Sequence, residues 1–310
     1  MRSPLRGAVY SAASLALLVS VAACGSSDDD SAAAGSSSGS GGTLDVVAST
    51  NVWGGIVSAV GGDQVKVTSL IDDPSADPHS FEANTRTQLA ISRADLIVEN
   101  GGGYDDFMET LRKNSDTKAT VVNAVDVSGK QAAAGEELNE HVWYDFPTVK
   151  KVADRIEAAL AEADKGQADT FRSNNQAFQG KLDALISQEG DDKGPVAGAG
   201  IAITEPVPLY LTEAVGAVNK TPADFSEAIE EGDDVSPAVL QETLDLFTGK
   251  QVKALVYNEQ TTGAETEQVL KAAKDNGIAV VPVTETLPAG KDYLSWMQGN
   301  LDAVDKALTS

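Results

Sequence analysis

Short apolar runs alternate with amphipathic segments along most of the chain, starting at residue 44. In the first half, four apolar runs predict strands, at residues 44–48, 65–71, 95–99 and 120–123. The segments between them have apolar residues at helical spacing and predict helices at 53–60, 85–93 and 104–113. Such strand–helix alternation is typical of a mostly parallel sheet that is covered by helices on both faces.

The same alternation returns in the second half of the chain. Apolar runs at 196–204, 253–258 and 278–283 predict strands of a second sheet. Ser236 followed by Pro237 is a typical helix start, with a capping side chain and a proline in the first turn. A further helix is predicted over 261–276, because the periodic pattern ends there at Gly277.

A long helical stretch, residues 147–189, separates the two sets of strands. Its apolar residues recur at helical spacing, and Gly166 divides it into two helices. The second, near 167–188, should be about 33 Å long at 1.5 Å per residue. We therefore predict an α/β fold with two lobes, each a mostly parallel sheet flanked by helices, joined by a long rigid helix. The N-terminal lobe is expected at 44–165, the connecting helix at 166–190 and the C-terminal lobe at 191–310.

The N-terminus has the pattern of an export signal. Arg2 and Arg6 precede an apolar stretch at 8–21, which is shorter than the roughly 20 residues that span a bilayer. Residues 1–23 are therefore interpreted as a signal peptide. The residues VAAC at 21–24 resemble a bacterial lipobox, which implies cleavage before Cys24 and diacylation of its sulfur. The alternative is an ordinary signal peptide with an incidental cysteine.

Cys24 is the only cysteine, so no disulfide can form within the chain. Residues 24–43 consist almost wholly of Ser, Gly, Ala and Asp, a composition that cannot bury enough apolar surface to fold. We interpret them as a flexible tether between the lipid anchor and the lobes.

The formal net charge of −24 excludes nucleic acid as a partner, because phosphate binding needs clustered Lys and Arg. A negative charge of this size also repels anionic lipid headgroups, which leaves the acyl chains as the predicted membrane contact. It attracts cations in general but does not identify a ligand.

The chain has two histidines, His79 and His141, each in a polar, turn-rich segment that we expect at the surface. Their spacing does not match a local zinc motif, such as two histidines one helical turn apart. A single histidine of this kind is more often hydrogen-bonded or exposed than a metal ligand. Spacing alone therefore leaves the role of both histidines open.

Three segments resemble the zinc- and manganese-specific solute-binding proteins of ABC importers (cluster A-I). They are DPHSFE at 77–82, ADLIVENG at 94–101 and HVWYD at 141–145. The resemblance covers the chain from about residue 44 and includes the order lobe, helix, lobe. It implies a metal site between the lobes at the carboxyl ends of strands, where open α/β sheets place ligands. It also implies a lipid-anchored, extracytoplasmic monomer that delivers its metal to an ABC permease and its ATPase.

The resemblance also implies a ligand set. His79 and His141 match the first two ligands of the family, and Glu205 follows the first strand of the second lobe, where the third is found. The fourth is usually an aspartate after a later strand, but this chain has a glutamate there, Glu285. Glu259 follows a neighbouring strand and is the rival for this role. We expect Glu285.

Two imidazoles and two carboxylates would surround one divalent ion with no net charge. Nitrogen and oxygen ligands suit zinc, manganese and ferrous iron, whereas cuprous ion prefers sulfur. Carboxylates bind with one oxygen or two and so favour higher coordination numbers, which slightly favours Mn²⁺ over Zn²⁺. The loop at 128–139 contains no histidine, whereas many zinc-specific members of the family have a histidine-rich loop there. We therefore expect one Mn²⁺ or Zn²⁺ ion per chain.

Two other classes of function fit the sequence less well. A metal-dependent hydrolase needs an open coordination position with a general base beside it, and four protein ligands leave little room for either. The glycine run at 101–103 lacks the spacing of a phosphate-binding loop, and the chain has no Gly-x-Ser-x-Gly motif. A surface adhesin, or a binder of an organic ligand, would need an aromatic cleft, yet aromatic residues are only 5% of the chain. We expect a binding protein that is not an enzyme.

Overall fold

The computed structural model describes residues 42–73, 81, 83–132 and 137–310. The predicted signal peptide, the lipidation site Cys24, most of the tether and the candidate ligand His79 lie outside the described residues. All of the described residues belong to one compact unit, Ser40–Ser310. Among the helices that they form, none is long and apolar enough to cross a membrane.

The first lobe is a four-stranded parallel sheet in the order β2-β1-β3-β4, as the alternation predicted. β1 and β3 are the two inner strands of this sheet, and on β1 Val46 lies opposite Val67 on one neighbour and Leu96 on the other. The elements in chain order are β1 Leu44–Thr50, α1 Asn51–Gly61, β2 Val65–Ile71, α2 Thr85–Arg93, β3 Leu96–Glu99, α3 Phe107–Lys113, β4 Thr120–Asn123 and α4 Ala124–Ser128.

Two long helices follow the first sheet, α5 Phe146–Ala163 and α6 Ala168–Val196. The Asp145 side chain caps α5 by accepting a hydrogen bond from the backbone N–H of Thr148. α6 has 29 residues and is therefore about 43 Å long. The sequence predicted an end near residue 190 and a strand from 196, which is wrong. Pro195 lies in the last turn, where it removes one helical hydrogen bond, and the buried side chain of Val196 anchors the helix end.

The second lobe repeats the design of the first, with a parallel sheet in the order β6-β5-β7-β8. The two later strands confirm the predictions to within one residue, whereas the short elements α7, β6 and α8 were not predicted. The elements are β5 Gly200–Ile203, α7 Leu209–Ala214, β6 Val218–Asn219, α8 Ala223–Glu230, α9 Pro237–Thr248, β7 Ala254–Asn258, α10 Ala264–Asp275, β8 Ala279–Val283 and α11 Tyr293–Thr309.

One continuous apolar core joins the two lobes. α6 packs against α5 and α1 of the first lobe and against α11 of the second. The phenylalanines of α6, Phe171 and Phe178, are buried in this core, as expected for packing residues. Beside them the rings of Tyr144 and Trp296 meet edge to face, with centroids 5.8 Å apart. These contacts pack the two lobes against each other.

Candidate metal centre

Two candidate ligands, Glu205 and Glu285, come together at the carboxyl end of the second sheet. Glu205 follows β5 and Glu285 follows β8, and the strand between them, β7, ends at Asn258. The side-chain amide nitrogen of Asn258 donates hydrogen bonds to Oε2 of Glu205 and, at 2.8 Å, to Oε1 of Glu285. Both carboxylates are buried, each residue being 3% exposed. A buried amide that donates to both acids stabilises their ionised forms side by side.

The backbone at Glu285 is held by Gln260. Oε1 of Gln260 accepts hydrogen bonds from the N–H groups of Glu285 at 2.5 Å and of Thr286 at 3.1 Å. Nε2 of the same side chain donates to the hydroxyl of Thr286 at 2.8 Å. These bonds close the turn after β8 and keep the Glu285 side chain aimed into the space between the lobes.

Tyr104 reaches this acid from the first lobe. Its ring is buried against His141 and Trp143, with centroids 5.9 Å and 4.8 Å away, and its hydroxyl hydrogen-bonds the carboxylate of Glu285. Burial raises the pKa of Tyr104 well above its ordinary value, and the negative charge of Glu285 raises it further. Tyr104 therefore stays protonated and acts as a hydrogen-bond donor.

The glycine run at 101–103 explains how Tyr104 reaches the site. All three glycines have positive φ angles, of 77°, 73° and 104°, a conformation that residues with a Cβ rarely adopt. A Cβ at Gly101 would also lie 2.3 Å from the side-chain nitrogen of Asn123. The run is a tight turn after β3 that turns Tyr104 toward the second lobe.

His141 is fully buried, whereas its segment was expected at the surface. Asn139 orients it: Oδ1 of Asn139 lies 3.0 Å from the backbone nitrogen of His141 and 2.8 Å from ring nitrogen Nδ1. The amide of Asn139 donates to the carbonyl oxygen of Pro206 at 3.1 Å, so its other atom, Oδ1, must be the acceptor. Nδ1 of His141 therefore carries the proton, which leaves Nε2 with the lone pair that binds metals.

Asn139 also ties the two lobes together. Its side chain donates to Pro206, the residue after Glu205, and its carbonyl oxygen accepts a 2.6 Å hydrogen bond from the hydroxyl of Tyr210. The residue that orients His141 is thus bonded to the loop that carries Glu205. Neither Asn139 nor Asn258 is recognisable from the sequence, since the role of each depends on contacts between distant segments.

A third carboxylate, which the sequence analysis missed, lies beside His141. Oε1 of Glu230, at the end of α8, is 3.5 Å from Nε2 of His141. Together with Glu140, these residues offer three ligand atoms that all lie within 4.8 Å of one another. Burial raises the pKa of Glu230 to about 9, and the charges of Glu140, Glu205 and Glu285 contribute to the same shift. The Glu230 carboxylate therefore lies beside His141 and also interacts electrostatically with Glu205 and Glu285.

Glu140 is perturbed in the same direction. Burial is the largest cause that raises its pKa to about 7, and the charges of Glu231 and Glu137 add to it. Such concentrations of buried carboxylates are costly without a cation nearby, and they are typical of functional sites.

The cleft beside Glu230 opens to solvent through a cavity of about 830 Å³. We call it the acidic vestibule, because six of its lining residues are glutamates: Glu137, Glu140, Glu213, Glu227, Glu230 and Glu231. A vestibule of one charge sign concentrates ions of the opposite sign near its inner end. The arrangement therefore suits a small cation.

Of the four expected ligands, the structure describes three, and it brings His141, Glu205 and Glu285 to one buried region between the lobes. The rival Glu259 is exposed, although its backbone N–H bonds to Val283 at the end of β8. Glu259 lies just beyond the end of β7, whose five residues are all buried.

The chain is similar to known metal-uptake and metal-binding proteins. The family model of ZnuA, the periplasmic component A of a zinc-uptake complex, matches residues 46–307. The manganese-binding lipoprotein MntA of Bacillus subtilis is 26% identical over 243 residues, which cover 76% of this chain and 78% of the relative. The manganese ABC transporter substrate-binding lipoprotein scaA of Streptococcus gordonii is 24% identical over 289 residues, covering 87% and 90%.

A solved structure has the same fold. The periplasmic zinc-binding protein TroA from Treponema pallidum aligns with a TM-score of 0.74 at 19% identity, over 87% of this chain and all of that one. This likeness confirms the predicted α/β fold with two parallel sheets flanked by helices. Since the family model spans far more than half of its length, the chain belongs to the ZnuA family of metal-uptake components.

Proposed function

We propose that this protein captures one Mn²⁺ or Zn²⁺ ion outside the cytoplasm and delivers it to an ABC permease and its ATPase. The observation that carries the proposal is the buried meeting of His141, Glu205 and Glu285 between the lobes, with Asn139 holding the proton on Nδ1 of His141 so that the lone pair is on Nε2. Membership of a family described as a zinc-uptake component supports it, as do relatives named as manganese-binding and substrate-binding lipoproteins.

The proposed ligands are His79, His141, Glu205 and Glu285. The assignment of His141, Glu205 and Glu285 is supported by their burial and by the side chains that orient them. The assignment of His79 rests on the resemblance of its segment to the family. The preference for Glu285 over Glu259 is supported by exposure: Glu285 is buried beside Asn258, and Glu259 faces solvent. Asn258 acts as a positioning residue, because it sets the separation of the two carboxylates.

The donor set favours Mn²⁺ slightly. Carboxylate oxygens suit manganese, which accepts more ligands than zinc, and two relatives carry manganese in their names. Zinc is the competitor, because it binds more tightly than manganese to the same ligands at equal geometry.

The protein would act as a monomer that is held to the outer side of a membrane by a diacylated Cys24. Acyl chains contribute about 0.8 kcal/mol per buried CH₂, so two chains anchor a protein firmly. Mass spectrometry of the mature N-terminus tests this, and Cys24→Ser should release the protein from membranes. A mature chain that begins elsewhere, or a Cys24 without lipid, would contradict it.

A metal-dependent hydrolase and a surface adhesin, the two alternatives, gain no support over metal capture from a family of uptake components. The expectation that the protein is not an enzyme agrees with this family. The decisive experiment is metal titration of the full chain, purified in detergent and freed of metal with a chelator. We expect one tight equivalent of Mn²⁺ or Zn²⁺; two tight equivalents, or none, would contradict the proposal.

A further inference from the structure

Glu230 lies where a ligand of the captured ion would lie, although the resemblance to the family assigns it no role. Its Oε1 atom is 3.5 Å from Nε2 of His141, the nitrogen that the Asn139 contact leaves unprotonated. This oxygen is buried, and no described residue donates a hydrogen bond to it. The carboxylate comes from α8 of the second lobe, and the imidazole from the segment before α5 of the first.

The distance between these two atoms fits two ligands of one ion. Metal–nitrogen and metal–oxygen bonds in such sites are about 2.0–2.2 Å long. Two ligands at that distance, at angles between a right angle and the tetrahedral angle, are therefore about 2.8–3.6 Å apart. The observed 3.5 Å lies near the upper edge of this range, so an ion on Nε2 would need no movement of α8 to reach Oε1 of Glu230.

We propose that Glu230 is a further metal-binding carboxylate, so that the ion held by Nε2 of His141 is also bound by Oε1 of Glu230. The inference rests on the proposed function and extends its ligand set. With Glu205 and Glu285, Glu230 would make three carboxylates around one ion. More oxygen ligands and a higher coordination number suit Mn²⁺ better than Zn²⁺, so Glu230 would act as a selectivity residue for manganese.

Two other roles for Glu230 make different predictions. As one of the glutamates of the acidic vestibule, it could act only through its charge, without touching the ion. Alternatively, its contact with His141 could close the metal-free site, and the metal would then have to displace it. Glu230→Asp keeps the charge but shortens the side chain, so it distinguishes direct metal binding from these two other roles.

The test compares Glu230→Asp and Glu230→Gln with the matched control Glu227→Gln, in the full chain purified in detergent. Glu227 lines the same vestibule one turn earlier on α8 and is not in the cluster around His141. Mn²⁺ and Zn²⁺ affinities are measured by calorimetry, and the Mn²⁺ environment is compared by electron paramagnetic resonance. Melting of each metal-free variant shows that it is folded.

We expect both Glu230 variants to weaken Mn²⁺ binding at least tenfold, to weaken Zn²⁺ binding less and to change the Mn²⁺ spectrum. Glu227→Gln should change either affinity less than threefold. If Glu230→Asp keeps the parental metal affinity and Glu230→Gln loses it, Glu230 acts only through its charge. If Glu230→Gln binds metal more tightly than the parent chain, the contact between Glu230 and His141 closes the metal-free site and the metal displaces it. Either result overturns the inference while the parent chain still binds metal. If the parent chain binds no ion, the proposed function itself fails.

Discussion

The hydroxyl group of Tyr144 donates a 2.8 Å hydrogen bond to the main-chain oxygen of Thr284. This bond joins the segment that begins with His141 to the residue before Glu285, and so it links two proposed ligands from opposite lobes. The amide of Asn300 donates to the same hydroxyl at 3.2 Å, and the ring is fully buried. The Tyr144 side chain therefore helps to hold the two ligand segments in a fixed position relative to each other.

Replacing Tyr144 with phenylalanine removes the hydrogen bond to Thr284 and should loosen the alignment of the two ligand segments. We expect the free energy of unfolding to fall by about 1–2 kcal/mol, since a buried hydrogen bond is lost and a carbonyl group is left unpaired. Metal affinity should fall several-fold, because the ion must then help to align the two segments. Denaturant unfolding and calorimetry measure the two effects.

Tyr257→Phe is the matched control. Its hydroxyl bonds to Thr266 inside the second lobe, so the substitution should leave metal affinity unchanged. Parental affinity in Tyr144→Phe would show that the interlobe bond serves stability alone.

Asn258 should matter most when the metal is absent. Its amide donates to both Glu205 and Glu285, and Asn258→Ala removes this shared donor from two buried carboxylates. We expect the unfolding free energy of the metal-free protein to fall by about 2–4 kcal/mol, since hydrogen bonds to charged groups contribute about 1.5–3 kcal/mol each. Bound metal should recover part of this loss, which melting with and without Mn²⁺ would show.

Asn276→Ala provides the comparison for Asn258, because Asn276 caps the end of α10 and donates only to a backbone carbonyl of that helix. Asn276→Ala should lower the free energy of unfolding less than Asn258→Ala does. Metal should raise its melting temperature by as much as it does in the parent chain. Equal metal-induced rises in both variants would argue against a positioning role for Asn258.

The strands of both lobes were predictable because they are buried apolar runs bounded by turn residues. The short elements α7, β6 and α8 were not predictable, because two to eight residues are too few to establish a hydrophobic period. Glu230 lies at the end of α8, in a run of acidic residues that is indistinguishable in sequence from a solvated helix face.

The candidate site was predictable only in part, and for a different reason. Glu205 and Glu285 were selected by resemblance to the family, because a glutamate after a strand is otherwise an ordinary loop residue. The side chains of Asn139 and Asn258 donate hydrogen bonds to Pro206 and Glu205, which are 67 and 53 positions away in sequence, and no local pattern encodes such contacts. The burial of His141 was missed because its polar neighbours suggested a surface turn, whereas Tyr104 and Trp143 cover its ring.

The two histidines should both be needed for tight binding. We expect His79→Ala and His141→Ala each to weaken metal affinity by at least a hundredfold, since each removes a proposed nitrogen ligand. His141→Ala should also lower stability, because its ring packs between Tyr104 and Trp143. Calorimetry at neutral pH measures affinity, and a variant that keeps parental affinity removes its residue from the ligand set.

Affinity in the parent chain should also decline toward pH 5. Imidazole binds metal only when it is neutral, and its reference pKa is about 6.5, so protons compete with the ion below that pH. An affinity that does not change between pH 7.5 and pH 5 would argue against histidine ligands.

Glu189 gives a prediction about stability that does not involve the metal. It is buried on α6, and burial followed by the charge of Asp145 raises its pKa to about 8. Between pH 4.5 and pH 8 the folded chain therefore holds a proton that the unfolded chain has released, so this group's contribution to stability falls as pH rises. Glu189→Gln, which mimics the protonated form, should raise the melting temperature by a few degrees at pH 8 and little at pH 4.5.

Asp191→Asn controls for charge on the same helix, because Asp191 is exposed and its substitution should have no comparable dependence on pH. Melting curves across this pH range decide the matter. A Glu189→Gln variant with the parental pH dependence would show that Glu189 is ionised in the folded protein.

The choice between Glu285 and Glu259 can be tested by their amides. Glu285→Gln keeps the shape of the side chain but removes the charge that a metal ligand needs, whereas Glu259→Gln alters an exposed group. We expect Glu285→Gln to lose most of the metal-induced rise in melting temperature and Glu259→Gln to keep it. The rise measures affinity directly, because binding to the native state stabilises it by RT ln(1 + [L]/Kd).

Glu259→Gln is a close control for Glu285→Gln, because both residues lie at the same edge of the second sheet. Glu259 is bonded through its backbone to Val283, two residues before Glu285, so a general disturbance of this edge would affect both variants. Only a difference between their side chains can separate them. If Glu259→Gln loses the metal-induced rise and Glu285→Gln keeps it, the exposed carboxylate must turn inward on metal binding, and the two residues exchange roles.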